Sequence, residues 1–167
     1  MAHSIVMLGK KHDLKSFDCG NPILNTWLQT TARQHQKKSL SSTFVLVDDE
    51  SSEAVIGFYA LAISSMAAKE KLSPSMAKSL PLMVPGITLG RLAVATKFKG
   101  QGNGSMLLVD TMIRAKYVAR QVGGFALFVD AKDEATAGFY AHFGFEPLPD
   151  DPLRLCIPIA SIPEFGY

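Results

Sequence analysis

Cysteine is nearly missing from this chain: Cys19 and Cys156 are the only two in 167 residues. One distant pair builds no disulfide framework and has no metal-ligand spacing, so no metal site is expected. Both thiols read as small buried hydrophobes in a reducing compartment. Long apolar runs are missing too. Ala54–Ser64, AVIGFYALAIS, falls far short of the roughly 20 residues a spanning helix needs. The N-terminus offers only Ile5-Val-Met-Leu8 behind Met1-Ala-His-Ser, which is no signal-peptide pattern. A cytoplasmic protein without a membrane segment is the expectation. Neither sign of charge is in surplus: 17 Lys and Arg against 15 Asp and Glu leave +2, which permits an acidic partner without announcing one. No repeat, linker or low-complexity stretch divides the chain. With 47% hydrophobic and 19% charged residues, it reads as one domain over 1–167 with a full core.

Glycine, by contrast, is concentrated at one place. Leu89-Gly-Arg-Leu-Ala-Val-Ala-Thr-Lys-Phe-Lys-Gly-Gln-Gly-Asn-Gly-Ser105 reads as a strand, a glycine-rich turn and the start of a long helix. Gly100, Gly102 and Gly104 alternate with Gln101 and Asn103. Without Cβ atoms, successive N–H groups can point into one concavity. A helix opening at Ser105 adds unpaired N–H groups and the positive end of its dipole. Lys97 and Lys99 add full charges. Such a cradle suits a phosphate or pyrophosphate; the plainer reading is a tight turn without a ligand.

Elsewhere the pattern alternates strands and helices. Ile5–Leu8 reads as a short first strand, and His12–Gly20 as a loop. Asn21-Pro22 starts a helix, with Asn as N-cap and Pro at the first helical position. Ile23, Leu24, Trp27 and Leu28 carry that helix to about Gln36 at helical spacing. Thr43–Val47 and Ala54–Ser64 read as an antiparallel hairpin across a polar connection, 48–53. A short helix follows Ser73-Pro74, and two prolines make 80–86 a loop. After the central strand Thr88–Val94 and the glycine turn, Leu108, Met112, Ala115, Ala119 and Val122 mark one helix face. Phe125–Val129 is a strand covered on both sides. Asp133 and Glu134 open a helix through His142 that Gly144 ends, and strands at Phe145–Leu148 and Leu153–Ile159 close the chain. This order predicts an α/β fold with a mixed, mostly antiparallel sheet flanked by helices around a β-α-β core.

A Walker A loop is excluded, because no Gly-Lys-Ser/Thr follows the glycines. A dinucleotide-binding fold is the pattern-level rival, with Asp130 as the ribose acid. Too few residues remain after the turn for its second half, and the preceding hairpin does not belong to it.

Leu92-Ala-Val94, Lys99-Gly-Gln-Gly-Asn-Gly104, Phe139-Tyr140 and Gly144-Phe145 together resemble the GNAT acetyltransferase family. The resemblance implies that Lys99, Gly100, Gln101, Gly102, Asn103, Gly104 and Ser105 hold the pyrophosphate of acetyl-coenzyme A. Lys99 stands where Arg or Gln is usual. It also implies that the backbone of Leu92, Ala93 and Val94 binds the pantetheine arm, with Phe139 beside it. The N-terminal half narrows the likeness. His12–Gly20, the Trp27 helix, Gly57-Phe-Tyr-Ala-Leu61 and Leu89-Gly-Arg-Leu-Ala-Val94 are similar to the acetyltransferase toxins of bacterial toxin–antitoxin pairs, the TacT, KacT, AtaT and ItaT group. That implies acetylation of the α-amine of an aminoacyl-tRNA, a block to translation, and a ribbon-helix-helix antitoxin that reaches operator DNA. A homodimer is usual there.

Acyl transfer from a thioester needs a neutral amine and a proton for the leaving thiolate. A free α-amine has a pKa near 8, against about 10.4 for lysine, so a strong base is little needed. The resemblance makes Tyr140 the general acid; without it, Tyr140 is an aromatic core residue beside Phe139. Asp133 and Glu134 read as helix N-terminal charges and His142 as a surface or packing histidine. Phosphates of a tRNA call for Arg33, Lys37, Lys38, Lys78, Arg91 and Lys97 as a group, though each alone also reads as a solvated surface charge. Arg91, inside a central strand, needs a partner: a phosphate, Asp18 or Asp130. The rival functions are an ordinary acetyltransferase for a protein N-terminus, polyamine or small metabolite, and a non-catalytic binder of the coenzyme.

Overall fold

The computed structural model describes residues 2–165, without the side chains of 64–66. The chain divides into two compact units, Met1–Ala62 with Gly90–Thr111 and Ile63–Leu89 with Met112–Tyr167. Three elements contribute residues to both: β3 (Ser51–Ala68), β4 (Met83–Val94) and α4 (Asn103–Val122).

In the first unit, β1 (His3–Met7), β2 (Ser42–Asp48) and the start of β3 form an antiparallel meander. Ile5 faces Leu46, and Val45 faces Phe58. The end of β4 lies beside β3, and just past it the Ala95 N–H donates to the Ile56 carbonyl at 2.8 Å. Two helices follow the 8–20 loop, α1 (Pro22–Thr30) and α2 (Ala32–Lys37). Asn21 caps α1 by accepting from the Ile23 and Leu24 N–H groups, as the Asn-Pro start predicts. Phe17, Trp27, Leu28, Val45, Phe58 and Ala95 pack into one core.

In the second unit, the start of β4 pairs in parallel with β5 (Ala126–Asp130), Leu89 facing Val129. β7 (Asp151–Pro158) joins β5 antiparallel, and β6 (Glu146–Leu148) joins β7. The short α3 (Pro74–Ala77) and α5 (Glu134–His142) complete it. Asp133 caps α5 through the Thr136 N–H, and Gly144 follows the helix at φ 98°. Leu72, Val84, Ala126, Phe128 and Cys156 pack together. Cys19 and Cys156 are free and buried.

Several boundaries differ from expectation. The single helix to Gln36 breaks at Thr31, whose φ is −120°. There Thr30 Oγ1 donates back to the Thr26 carbonyl at 2.7 Å beside a second β-branched residue, a combination that loosens a helix. The 80–86 loop is half strand, since β4 starts at Met83 and includes Pro85. Proline removes only a donor, and the Pro85 carbonyl still accepts from Phe125 at 2.8 Å. β3 starts at Ser51, so the polar 48–53 connection shrinks to Asp49 and Glu50, and it runs on to Ala68. On α4, Val122 is exposed, whereas Leu107 is fully buried.

Candidate functional site

The glycine turn belongs to the first unit. Gly100 and Gly102 have φ of 76° and 82°, the left-handed region that only glycine enters readily. A Cβ built on either would meet no atom within 4 Å, so the turn presents an open face. The Gly102 carbonyl accepts the first helical bond of α4 from the Met106 N–H at 3.0 Å. The N–H groups of Asn103, Gly104 and Ser105 precede that bond and have no helical acceptor. Gly104 lies in the first helical turn, not in the loop.

Two side chains brace this turn. Asn103 is buried and donates through Nδ2 to the Phe98 carbonyl at 3.1 Å. Its share in an anion site is therefore its backbone N–H. Lys99 Nζ donates to the Cys19 carbonyl at 2.7 Å, tying the turn to the loop before α1. Asp18 sits in that loop. Its carboxyl is held below the usual range by the Gly20 N–H, the Asn25 amide and then the Lys99 charge. The open N–H groups and the helix dipole make this end of α4 favourable for an anion. Ala93 and Val94 at the end of β4 are buried, and Leu92 is half-buried.

Among the described residues, Arg91 does not pair with an acid. Asp18 accepts from Gly20 and Asn25, and Asp130 holds Arg154 through two bonds of 2.9 Å. Instead the Arg91 guanidinium lies over the Trp27 ring, 4.1 Å from its centroid. Trp27 is the residue that sequence reasoning left in the core, and nothing in the local pattern signals its contact with Arg91.

The basic candidates divide. Arg33 donates to the Gly9, Lys10 and His12 carbonyls at 3.1, 3.4 and 2.8 Å, closing the 9–12 loop. Lys37, Lys38 and Lys97 are exposed, and Lys97 leans on the Phe98 ring. Lys78 is exposed in the second unit. A cavity of about 380 Å³ in the first unit is lined by Phe17, Asp18, Ala95 and Lys97 among others.

Tyr140 and Phe139 belong to the second unit. Tyr140 is 5% exposed and makes edge contacts with Phe139 and Phe145. Among the described residues its hydroxyl has no hydrogen-bond partner. Burial pushes its pKa up to about 12. Phe139 is half-buried, and His142 is exposed. Among the described residues, no three His, Cys, Asp or Glu side chains gather as around a metal ion, and no helix is long and apolar enough to cross a membrane.

Residues 39–147 match the model of the acetyltransferase (GNAT) domain. A tRNA-acetylating toxin of Mycobacterium tuberculosis is 38% identical over 87% of this chain and 85% of its own length. The structure of AtaT complexed with acetyl-methionyl-tRNAfMet is similar at a TM-score of 0.87 and 34% identity, covering 96% of this chain and 97% of that one. A tyrosine-to-phenylalanine mutant of the AtaT toxin, bound to the C-terminus of the antitoxin AtaR and acetyl-CoA, has a TM-score of 0.80 at 29% identity, over 96% and 95% of the two chains.

Proposed function

The chain belongs to the GNAT acetyltransferase family, and on that premise we propose that it is a toxin that acetylates the α-amine of an aminoacyl-tRNA and so blocks translation. The observation that carries this reading is the 38% identity to a tRNA-acetylating toxin over most of both chains. Acetyl-coenzyme A is its acyl donor. The glycine turn suits that ligand: Gly100 and Gly102 hold a left-handed backbone with open space beside it, and three N–H groups lie at the same end of α4. Gly100, Gln101, Gly102 and the N–H groups of Asn103, Gly104 and Ser105 hold the pyrophosphate, with Lys99 bracing the turn. The backbone of Leu92, Ala93 and Val94 holds the pantetheine arm, and Phe139 also binds the coenzyme.

The thioester supplies an activated acetyl group. Tyr140 donates a hydrogen bond to the departing sulfur. At a pKa of about 12 its phenol keeps its proton throughout the neutral range. An ordinary thiol lies near 8.5, so full transfer from Tyr140 is uphill by about 5 kcal/mol. The proton that ends on sulfur is therefore balanced by the one the attacking amine loses. Stabilisation of the thiolate in the transition state is the role of the phenol.

Lys37, Lys38, Lys78, Lys97 and Arg91 take tRNA phosphates, with Arg33 acting through the loop it closes. The partner is an antitoxin of ribbon-helix-helix type, the active form a homodimer in the cytoplasm, and residues 1–167 one GNAT domain.

Acetyl transfer from labelled acetyl-coenzyme A to total charged tRNA tests this, with wild type and Tyr140→Phe side by side. Label that requires charging and falls about 100-fold in the variant is the expected result. Absence of label on charged tRNA, with coenzyme still bound, moves the function to a protein N-terminus, polyamine or small metabolite.

A further inference from the structure

The half-buried guanidinium of Arg91 sits in a central strand without an acid. Among the described residues it makes no hydrogen bond and no ion pair; its only contact of note is the face of Trp27 at 4.1 Å. Trp27 is itself held. It stacks on Phe58 at 6.2 Å and 13°, meets His35 edge-on at 5.9 Å, and is 8% exposed. A cation–π contact satisfies the charge in part but takes up none of the guanidinium's N–H donors with an oxygen acceptor. Desolvating a charge without an anion is unfavourable. A guanidinium already held against an aromatic ring loses little entropy when it meets a two-oxygen anion.

We propose that Arg91, fixed on Trp27, is a specificity-determining residue that grips a phosphodiester at the 3′ end of the charged RNA. This rests on the aminoacyl-tRNA reading above. In an aminoacyl ester the amino acid's carboxylate is gone. The anion nearest the reacting amine is then the last phosphodiester of the RNA. A free amino acid ester, or a peptide N-terminus, carries no phosphodiester. Arg91 thus favours an amine carried on RNA over the same amine without it.

The test compares two acceptors, total charged tRNA and an amino acid methyl ester that has no phosphate. Arg91→Gln, Arg91→Lys and Trp27→Leu are assayed on both, with thermal melting of each variant. The expected result for Arg91→Gln is a fall of about tenfold or more in kcat/KM on charged tRNA, expressed in KM, against less than threefold on the ester. Arg91→Lys, with its charge but no fork, falls between. Trp27→Leu follows Arg91→Gln in the ratio of the two acceptors. The log–log salt dependence of tRNA binding loses about one unit of slope in Arg91→Gln. An equal fall on both acceptors, or a matching rise in KM for acetyl-coenzyme A, makes Arg91 structural and overturns the proposal. No change on charged tRNA overturns it as well. A wild type that acetylates the ester but not charged tRNA overturns the function reading and this proposal together, an outcome distinct from the others.

Discussion

The ammonium of Lys99 donates to the backbone carbonyl of Cys19 at 2.7 Å, across 80 residues of sequence. It joins the glycine turn to the loop that leads into α1. The cation at the family's Arg/Gln position therefore braces the turn. Lys99→Met is expected to cost about 1 kcal/mol of stability by leaving that carbonyl without its donor. Acetyl-coenzyme A binding weakens as the turn loosens, by no more than about tenfold. Melting curves and calorimetric titration read the two effects. A variant with wild-type melting and wild-type binding contradicts the bracing role.

Gly57 explains part of the Gly-Phe-Tyr-Ala-Leu motif in β3. A Cβ there would lie 2.8 Å from Leu107 Cδ1 and 2.9 Å from the Ala93 carbonyl. The leucine can turn away, but the carbonyl cannot. Gly57→Ala is expected to destabilise by about 1–3 kcal/mol through overpacking. It also shifts the strand that carries Ala93, so the KM for acetyl-coenzyme A rises. Urea unfolding that shows no loss refutes the close packing.

Tyr140→Phe separates chemistry from folding. Its hydroxyl has no hydrogen-bond partner among the described residues, so the phenyl ring keeps the packing against Phe139 and Phe145. Stability is expected within about 1 kcal/mol of wild type, while kcat falls about 100-fold. With a pKa near 12, Tyr140 contributes no alkaline fall in rate below about pH 11. Its raised pKa stabilises the folded state fully below the unfolded value of about 10, a contribution lost as pH rises toward 12. A pH–rate profile with a Tyr140-dependent limb near pH 9 contradicts this assignment.

His12 sets an acid limit on stability. It is 5% exposed, and Nδ1 accepts the Gly9 N–H at 2.9 Å, so the ring is neutral with its proton on Nε2. Burial first, and then the Lys11 charge, lower its pKa below 6.5, with Arg33 adding to the same direction. The unfolded chain therefore takes up the proton first as pH falls. The contribution of neutral His12 is complete above about pH 6.5 and is lost as pH drops toward the lower folded value. Urea unfolding between pH 7.5 and about 5 is expected to show a steeper loss for wild type than for His12→Gln. Parallel slopes refute the titration of His12.

Local chemistry made much of this molecule readable. Asn21 and Asp133 cap their helices because a short oxygen-bearing side chain next to a helix start has few better options. Gly100, Gly102 and Gly144 take positive φ at no steric cost, since they lack a Cβ. The apolar runs at β2 and β5 are buried as their composition requires. Helix ends, the glycine turn and the order of strands are thus properties of short stretches. So is the family likeness, which rests on contiguous motifs.

Tertiary structure decided the partners. Arg91 reads from sequence as a charge in need of a phosphate or an acid, and the fold sets it over Trp27 while Asp18 and Asp130 hold other donors. Lys99 reads as a ligand cation, and only the fold shows that its ammonium also donates to the Cys19 carbonyl. Thr30 and Thr31 break a helix that side-chain spacing continues. Each depends on which groups meet after the chain has folded. Propensity, capping and glycine freedom act over a few residues; charge pairing and stacking act between strands and loops brought together by the hydrophobic core, and no window of sequence contains them.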